Sequence, residues 1–172
     1  METSRKKALE MMQTAMVTYR LILGGWQVGH QIGDGYDIIA IKDDYAAKIE
    51  LKAIDLASIA EGKNATQHLS ANEIVHASHL IISVFEQISL KTNLVMTMRQ
   101  FVETSGVNKY KAFPNYQSFM DEYKRLSRKK SAKRKGSLKS RRLDFDFSFN
   151  PKRFKDWKLS VFINQWKNLE NQ

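Results

Sequence analysis

Asp37, Glu50 and Lys52 are the residues in this chain whose types and spacing suit chemistry. They flank Asp43-Asp44, which separates two strand-like runs, Tyr36 to Ile41 and Tyr45 to Ala53. A tight hairpin fits this spacing. If its turn is centred between Asp43 and Asp44, paired residues have numbers that sum to 87, and Asp37 stands opposite Glu50. Side chains two apart share a strand face, so Lys52 joins Glu50, while Ile49, Leu51 and Ala53 point the other way, into the core. Facing carboxylates repel and destabilise a sheet, and a divalent cation between them removes that penalty. Mg²⁺ is a hard cation that takes one or two protein carboxylates plus water and phosphate. Held here, it would activate a water and neutralise charge developing on a phosphodiester. Lys52 would orient the water or stabilise the transition-state charge, and the Leu51 carbonyl could supply a further ligand. The plainer alternative is the solvated face of an amphipathic hairpin, because short Glu-x-Lys patterns are common.

These residues need a scaffold. Leu9, Met12, Met16, Tyr19 and Leu23 recur at three- and four-residue steps, which predicts a helix from about Ser4 to Leu23 with one apolar stripe. Gly24-Gly25 stops it, and a short strand, Trp26 to Gln31, leads to a turn at Gly33-Asp34-Gly35. Ile54 to Gln67 reads as a loop entering a short strand. Ser70-Ala71-Asn72-Glu73 is a helix start, with Ser70 capping the amide of Glu73 and the Glu73 carboxylate reaching back; Leu69 and Ile74 are spaced as a hydrophobic staple. The helix ends near Ser78, and Leu80 to Phe85 is a buried strand. Asn93 to Val102 reads as a strand, or strand plus turn, and Phe119 to Leu126 as a helix. Leu143, Phe145, Phe147 and Phe149 alternate with polar residues, as in a half-buried strand. Asn150-Pro151 is a helix-start pair. The Trp157, Val161, Phe162, Trp166 and Leu169 series suggests a packed C-terminal helix. The expected fold is a mixed α/β domain, a central sheet with a β-hairpin core flanked by helices. Three parts are expected: a core over residues 1–123, a basic segment over 124–142, and a C-terminal strand and helix over 143–172 that pack on the core.

The chain has 172 residues, enough to bury a hydrophobic core without staples. Its 42% hydrophobic and 27% charged content is globular. With no cysteine, disulfides and thiolate metal sites are excluded. A polar start without an apolar signal run, and the lack of any membrane-length segment, lead to an expectation of a cytoplasmic protein that avoids membranes. The net charge of +10 favours polyanions. It is concentrated from Lys124 to Arg142, where eleven Lys and Arg occur with no acid. Lys129, Lys130, Lys133, Arg134 and Lys135 are therefore candidate phosphate contacts; the alternative is a solvated basic loop.

The run Gly35-Tyr36-Asp37, then twelve residues, then Glu50-Leu51-Lys52 resembles the PD-(D/E)XK nuclease superfamily, which includes restriction endonucleases and Holliday-junction resolvases. The helix before the motif and the helix-strand unit from Ser70 to Phe85 match its core order, so the resemblance covers roughly Ser4 to Glu86. It implies a restriction-endonuclease-like fold and metal-dependent hydrolysis of DNA phosphodiester bonds. It also implies Mg²⁺, with Mn²⁺ as the substitute, on Asp37 and Glu50, and Lys52 as the assisting residue. Some members add a glutamate from the first helix, and Glu10 is the matching position. Tyr36 stands where the family pattern has proline. Many such nucleases are homodimers, because two cuts need two sites. The competing readings are a nuclease-like subunit that binds nucleic acid or assembles without cutting, and a basic protein of a ribonucleoprotein or membrane surface.

Other polar residues are given structural roles. His30, His68, His76 and His79 are scattered and expected to be at the surface or partly buried. Glu73 is assigned to capping. Gly33-Asp34-Gly35 lacks the lysine and spacing of a phosphate loop. Trp157 and Trp166 are expected in the core rather than stacked on bases.

Overall fold

The computed structural model describes residues 2–31, 35–59, 63–105, 113–131, 143–149 and 157–170. Helix α1 (Glu2–Leu23) ends at Gly24-Gly25. The Gly25 φ of 82° is the left-handed conformation that closes a helix. Strands β1 (Gln27–His30), β2 (Ile38–Lys42) and β3 (Tyr45–Asp55) form an antiparallel meander. β4 (Ala65–Leu69) and α2 (Ala71–His76) follow, then β5 (His79–Glu86) and β6 (Ser89–Thr97). β5 runs parallel to β3, and the five-stranded mixed sheet has the order β1-β2-β3-β5-β6. Helices α3 (Met98–Ser105) and α4 (Tyr116–Ser131) and strand β7 (Phe145–Phe149) complete the named elements. β7 pairs antiparallel with β4 in a separate two-stranded sheet. The mixed α/β class with a central hairpin and flanking helices is the class expected.

The sheet is covered on both faces. On one side Ile38, Ala40, Ile49, Leu51, Ile81 and Val95 pack against Val17 and Leu21 of α1 and against Leu169. On the other side Ile54, Leu80, Ile82, Val84, Leu94 and Met96 meet α2, α3, α4 and the β4–β7 pair. Phe101, Phe113, Phe119 and Phe145 form a cluster of tilted and edge-on rings there. Among the described residues no helix is long and apolar enough to cross a membrane.

Several local expectations are corrected. The buried line of α1 is Leu9, Gln13, Val17 and Leu21, whereas Met16, Tyr19 and Leu23 are exposed. The glutamine hides this stripe, because a polar residue lies on the core face. Its side-chain amide donates to the carbonyls of Lys52 and Ile81 and to Ser83 Oγ, at 3.0, 3.3 and 3.0 Å. These bonds offset its desolvation. β3 continues two residues beyond Ala53, to Asp55, into what reads from sequence as a loop. The 93–102 stretch ends as a strand at Thr97 and continues as α3. Gln100 and Thr97 exchange side-chain-to-backbone bonds at 2.9 and 3.1 Å that start the helix. The C-terminal stretch folds as two 3₁₀ turns, Lys158–Phe162 and Trp166–Glu170, instead of one helix. Asn164, with a φ of 52°, breaks the run between them. Val161 of the expected stripe is exposed. His79 is fully buried, with Nε2 3.0 Å from the Asn168 carbonyl oxygen. Gly33-Asp34 and Asn150-Pro151 lie outside the described residues.

Candidate active site

The hairpin has the register expected from its turn. Ile38 pairs with Ile49 and Lys42 with Tyr45. Asp43 takes a φ of 52° in the two-residue turn, a conformation that aspartate tolerates. Asp37 lies just before β2 and donates its N–H to the Ile49 carbonyl at 2.9 Å. Only glycine fits at position 35. Its φ is 112°, and an added Cβ would lie 2.6 Å from Cβ of His76. This close approach brings the segment leading to Asp37 against α2.

β2 covers one edge of β3 only as far as Ile49; beyond it that edge is open. Side chains take the backbone groups there. Asp37 Oδ2 accepts the Leu51 N–H at 2.7 Å, and Gln67 Nε2 of β4 donates to the Ala53 carbonyl at 3.0 Å. A strand residue's N–H and C=O leave on the same edge, so the Leu51 carbonyl also lies on this open edge. The gap between the end of β2 and the approach of β4 is a cleft of about 420 Å³. Asp37, Glu50, Leu51, Lys52 and Glu73 line it, with Glu10 at the rim on α1.

Glu50 and Lys52 point away from Ile49 and Leu51, as strand alternation requires, but their face is no solvent face. Glu50 is 5% exposed. Lys52 Nζ lies 2.7 Å from Glu50 Oε1 and 2.8 Å from Glu73 Oε1. Two carboxylates, Glu50 and Glu73, thus share one lysine, and Asp37 feels its charge; ionised together, the three would exceed it by two negative charges. Burial pushes the Glu50 carboxyl up to about 8. The Lys52 ammonium pulls it back, but Lys52 is shared with Glu73, and Asp37 and Glu73 add repulsion. Burial also raises Asp37, against the Leu51 N–H and Lys52, which lower it. For Lys52, burial works against the charge and is outweighed by Glu50 and Glu73, so its pKa rises. For Glu73, burial is outweighed by Lys52 and the Ser70 bonds, so its pKa falls.

Glu73 therefore has two roles, of which sequence reasoning assigns one. The capping box is present: Ser70 Oγ accepts the Glu73 N–H, and the Glu73 carboxylate accepts the Ser70 N–H. Its other oxygen holds Lys52. A cap pattern accounts for Glu73 completely within α2, so only the packing of α2 on β3 reveals the second role. Replacing Glu73 with Ala is expected to lower the urea midpoint by an amount equal to about 1–2 kcal/mol, with the slope unchanged. An unchanged midpoint would show that the cap and the lysine bond contribute nothing.

Glu10 is at the margin: its side chain is 54% exposed and 3.8 Å from Lys6 Nζ. Its charge still reaches Asp37, whose carboxyl it helps to raise. Lys129 and Lys130 fall in the last turn of α4, where no side chain is described, and Lys133, Arg134 and Lys135 lie outside the described residues.

The donor set suits a hard divalent cation. Asp37 Oδ1 and Glu50 Oε2 have no protein partner among the described residues. Neither is a buried orphan, so both are reached from the cleft. Among the described residues no group of three or more His, Cys, Asp and Glu side chains is placed to hold a metal ion, so protein ligands alone would number two carboxylates. Mg²⁺ sites often consist of one or two carboxylates completed by water and substrate phosphate.

No known family model and no curated protein matches the chain. Among solved structures it is similar to a bacterial homing endonuclease at 15% identity and a TM-score of 0.43, over 76% of this chain and 98% of that one. A likeness this remote assigns no family.

Proposed function

We propose that this chain is a metal-dependent nuclease that hydrolyses DNA phosphodiester bonds. The observation that carries the reading is the convergence of Asp37, Glu50 and Lys52 on one carboxylate-rich cleft at the open edge of β3. A solvated hairpin face would leave such side chains exposed and independent. Burying carboxylates that lack a full set of partners costs stability, and a function explains why such an arrangement is kept. DNA as substrate follows from the resemblance to the PD-(D/E)XK nucleases.

In this reading Asp37, Glu50 and the Leu51 carbonyl would hold Mg²⁺ or Mn²⁺, which would supply a polarised water and neutralise charge on the phosphate. Asp37 is placed by the Leu51 N–H and by the bond from its own amide to Ile49. Lys52, fixed between Glu50 and Glu73, would offer its ammonium to the charge that develops on the phosphoryl oxygens. The sheet and α1 exclude bulk water from one side. The test is cleavage of supercoiled, linear and branched DNA with Mg²⁺, Mn²⁺ or EDTA. Metal-dependent scission supports the proposal, and no scission of any form overturns it.

The basic segment is assigned to the DNA backbone. Changing Lys129, Lys130, Lys133, Arg134 and Lys135 to Ala is expected to weaken binding to all sequences alike. The slope of log affinity against log salt should fall by about 0.9 per lost duplex contact. Cleavage at saturating DNA should survive, because the carboxylates lie elsewhere. An unchanged salt slope in filter binding or fluorescence anisotropy would mean that another face holds the DNA.

A further inference from the structure

The cleft has a second wall that this mechanism leaves unused. It is formed by β4, which Gln67 ties to β3 and which runs directly into Ser70 and the capping box that holds Glu73. His68 lies on this strand and lines the same cleft, the one imidazole to do so among the described residues. Its ring is placed by β7. Nδ1 is 2.8 Å from Asp146 Oδ1, across the β4–β7 pairing of His68 with Asp146. Asp144 lies on the other side, 3.6 Å from Nε2, and its Oδ1 accepts the Ala71 N–H at 2.8 Å. An ionised carboxylate only accepts, so the Nδ1–H donates to Asp146 and fixes the ring. Nε2 is beyond hydrogen-bond distance of Asp144, and with the side chain 57% exposed the ring is open to solvent where β4 borders the cleft.

Hydrolysis of a phosphodiester moves protons on two sides. The attacking water loses one, and the departing oxygen needs one unless its alcohol is unusually acidic. Lys52 is engaged by two carboxylates on the attack side. His68, on the β4 wall, supplies an imidazole, the side chain that general acid–base catalysis uses most often.

We propose that His68, oriented by Asp146, is the proton donor to the leaving oxygen, a role that rests on the nuclease reading. The water oxygen bonds to phosphorus as the P–O bond to the leaving group breaks. The electron pair goes to the leaving oxygen, which takes the proton from Nε2 of the imidazolium. Solvent accepts the proton shed by the water and returns one to the neutral imidazole. Asp146 is a positioning residue.

The test compares DNA with a small phosphodiester, the p-nitrophenyl ester of thymidine monophosphate, whose leaving group departs without a proton. The full chain is used with Mn²⁺ or Mg²⁺. His68→Asn is expected to lower the single-turnover rate on DNA by about 100-fold. Its affinity for DNA and its rate on the ester should stay within about 2-fold of wild type, a margin small against a general acid's contribution. Asp146→Asn should show the same pattern, less strongly. Equal losses on both substrates, a loss of DNA affinity alone, or no loss on DNA would each overturn the proposal. Where the ester is turned over too slowly to follow, His68→Gly with added imidazole decides: recovery on DNA supports the donor role, and no recovery overturns it. Failure of the wild type on both substrates would instead sink the nuclease reading.

Discussion

Plasmid DNA in Mg²⁺ is expected to be cut by the wild-type chain and left intact by Asp37→Asn and Glu50→Gln. Both changes keep the shape of the side chain and remove the charge that would hold the cation. Lys52→Ala should retain a trace of activity, down by about 100- to 1,000-fold, the usual effect of removing one donor from a developing anion. The Asp37→Asn/Glu50→Gln double variant should be no worse than either single one, because groups that act as a unit lose their function together. Glu10→Ala should have much the smallest effect, since its carboxylate sits at the rim beside Lys6. Isothermal calorimetry gives an independent readout, with Mg²⁺ or Mn²⁺ binding to wild type and not to Asp37→Asn. Equal cutting by all variants would eliminate this cleft as the catalytic centre. Tight DNA binding without a metal site would identify a nuclease-like subunit that no longer cuts.

The second large effect is on stability. Glu50 has a folded pKa of about 8, well above its unfolded value. Between the two values the folded state binds a proton that the unfolded state has lost, so stability falls as pH rises. Asp37, also raised, contributes in the same direction from its own lower starting point. Glu73 is lowered, so its contribution is present above its unfolded value and is lost on acidification. Without metal, stability should therefore decline from about pH 5 to about pH 8, with a total change on the order of several kcal/mol. Glu50→Gln should flatten that decline and be more stable than wild type at pH 8, although it is inactive. Mn²⁺ or Mg²⁺ should restore wild type at high pH and leave Glu50→Gln unaffected, because a ligand of the folded state stabilises it by mass action. Thermal melts across this range, with and without metal, would check it. A flat wild-type profile, or a Glu50→Gln variant less stable than wild type at pH 8, would show that Lys52 keeps Glu50 ionised.

Much of the site is legible because it is local. Strand alternation and a two-residue turn are short-range geometry, so the hairpin register and the shared face of Glu50 and Lys52 follow from spacing. The same holds for the Ser70–Glu73 capping box, whose partners are three residues apart. By contrast, α1 shows how a polar core residue defeats periodicity. Gln13 is buried because strands β3 and β5, far away in sequence, present backbone carbonyls to it. Position 97 shows a related failure: Thr97 sits between the apolar Leu94-Val95-Met96 and Met98, and so short a run carries no period to mark where strand becomes helix.

The mixed α/β class, the hairpin register and the shared strand face of Glu50 and Lys52 were legible in the chain, since each depends on neighbours within one turn or one strand pair. Tertiary structure alone decided that β2 stops at Ile49 and leaves an edge of β3 open, that Glu73 of α2 shares Lys52, and that His68 faces the same cleft. Those contacts join segments whose separation in the chain bears no relation to their separation in space, and the hydrophobic burial that brings them together has no direction of its own.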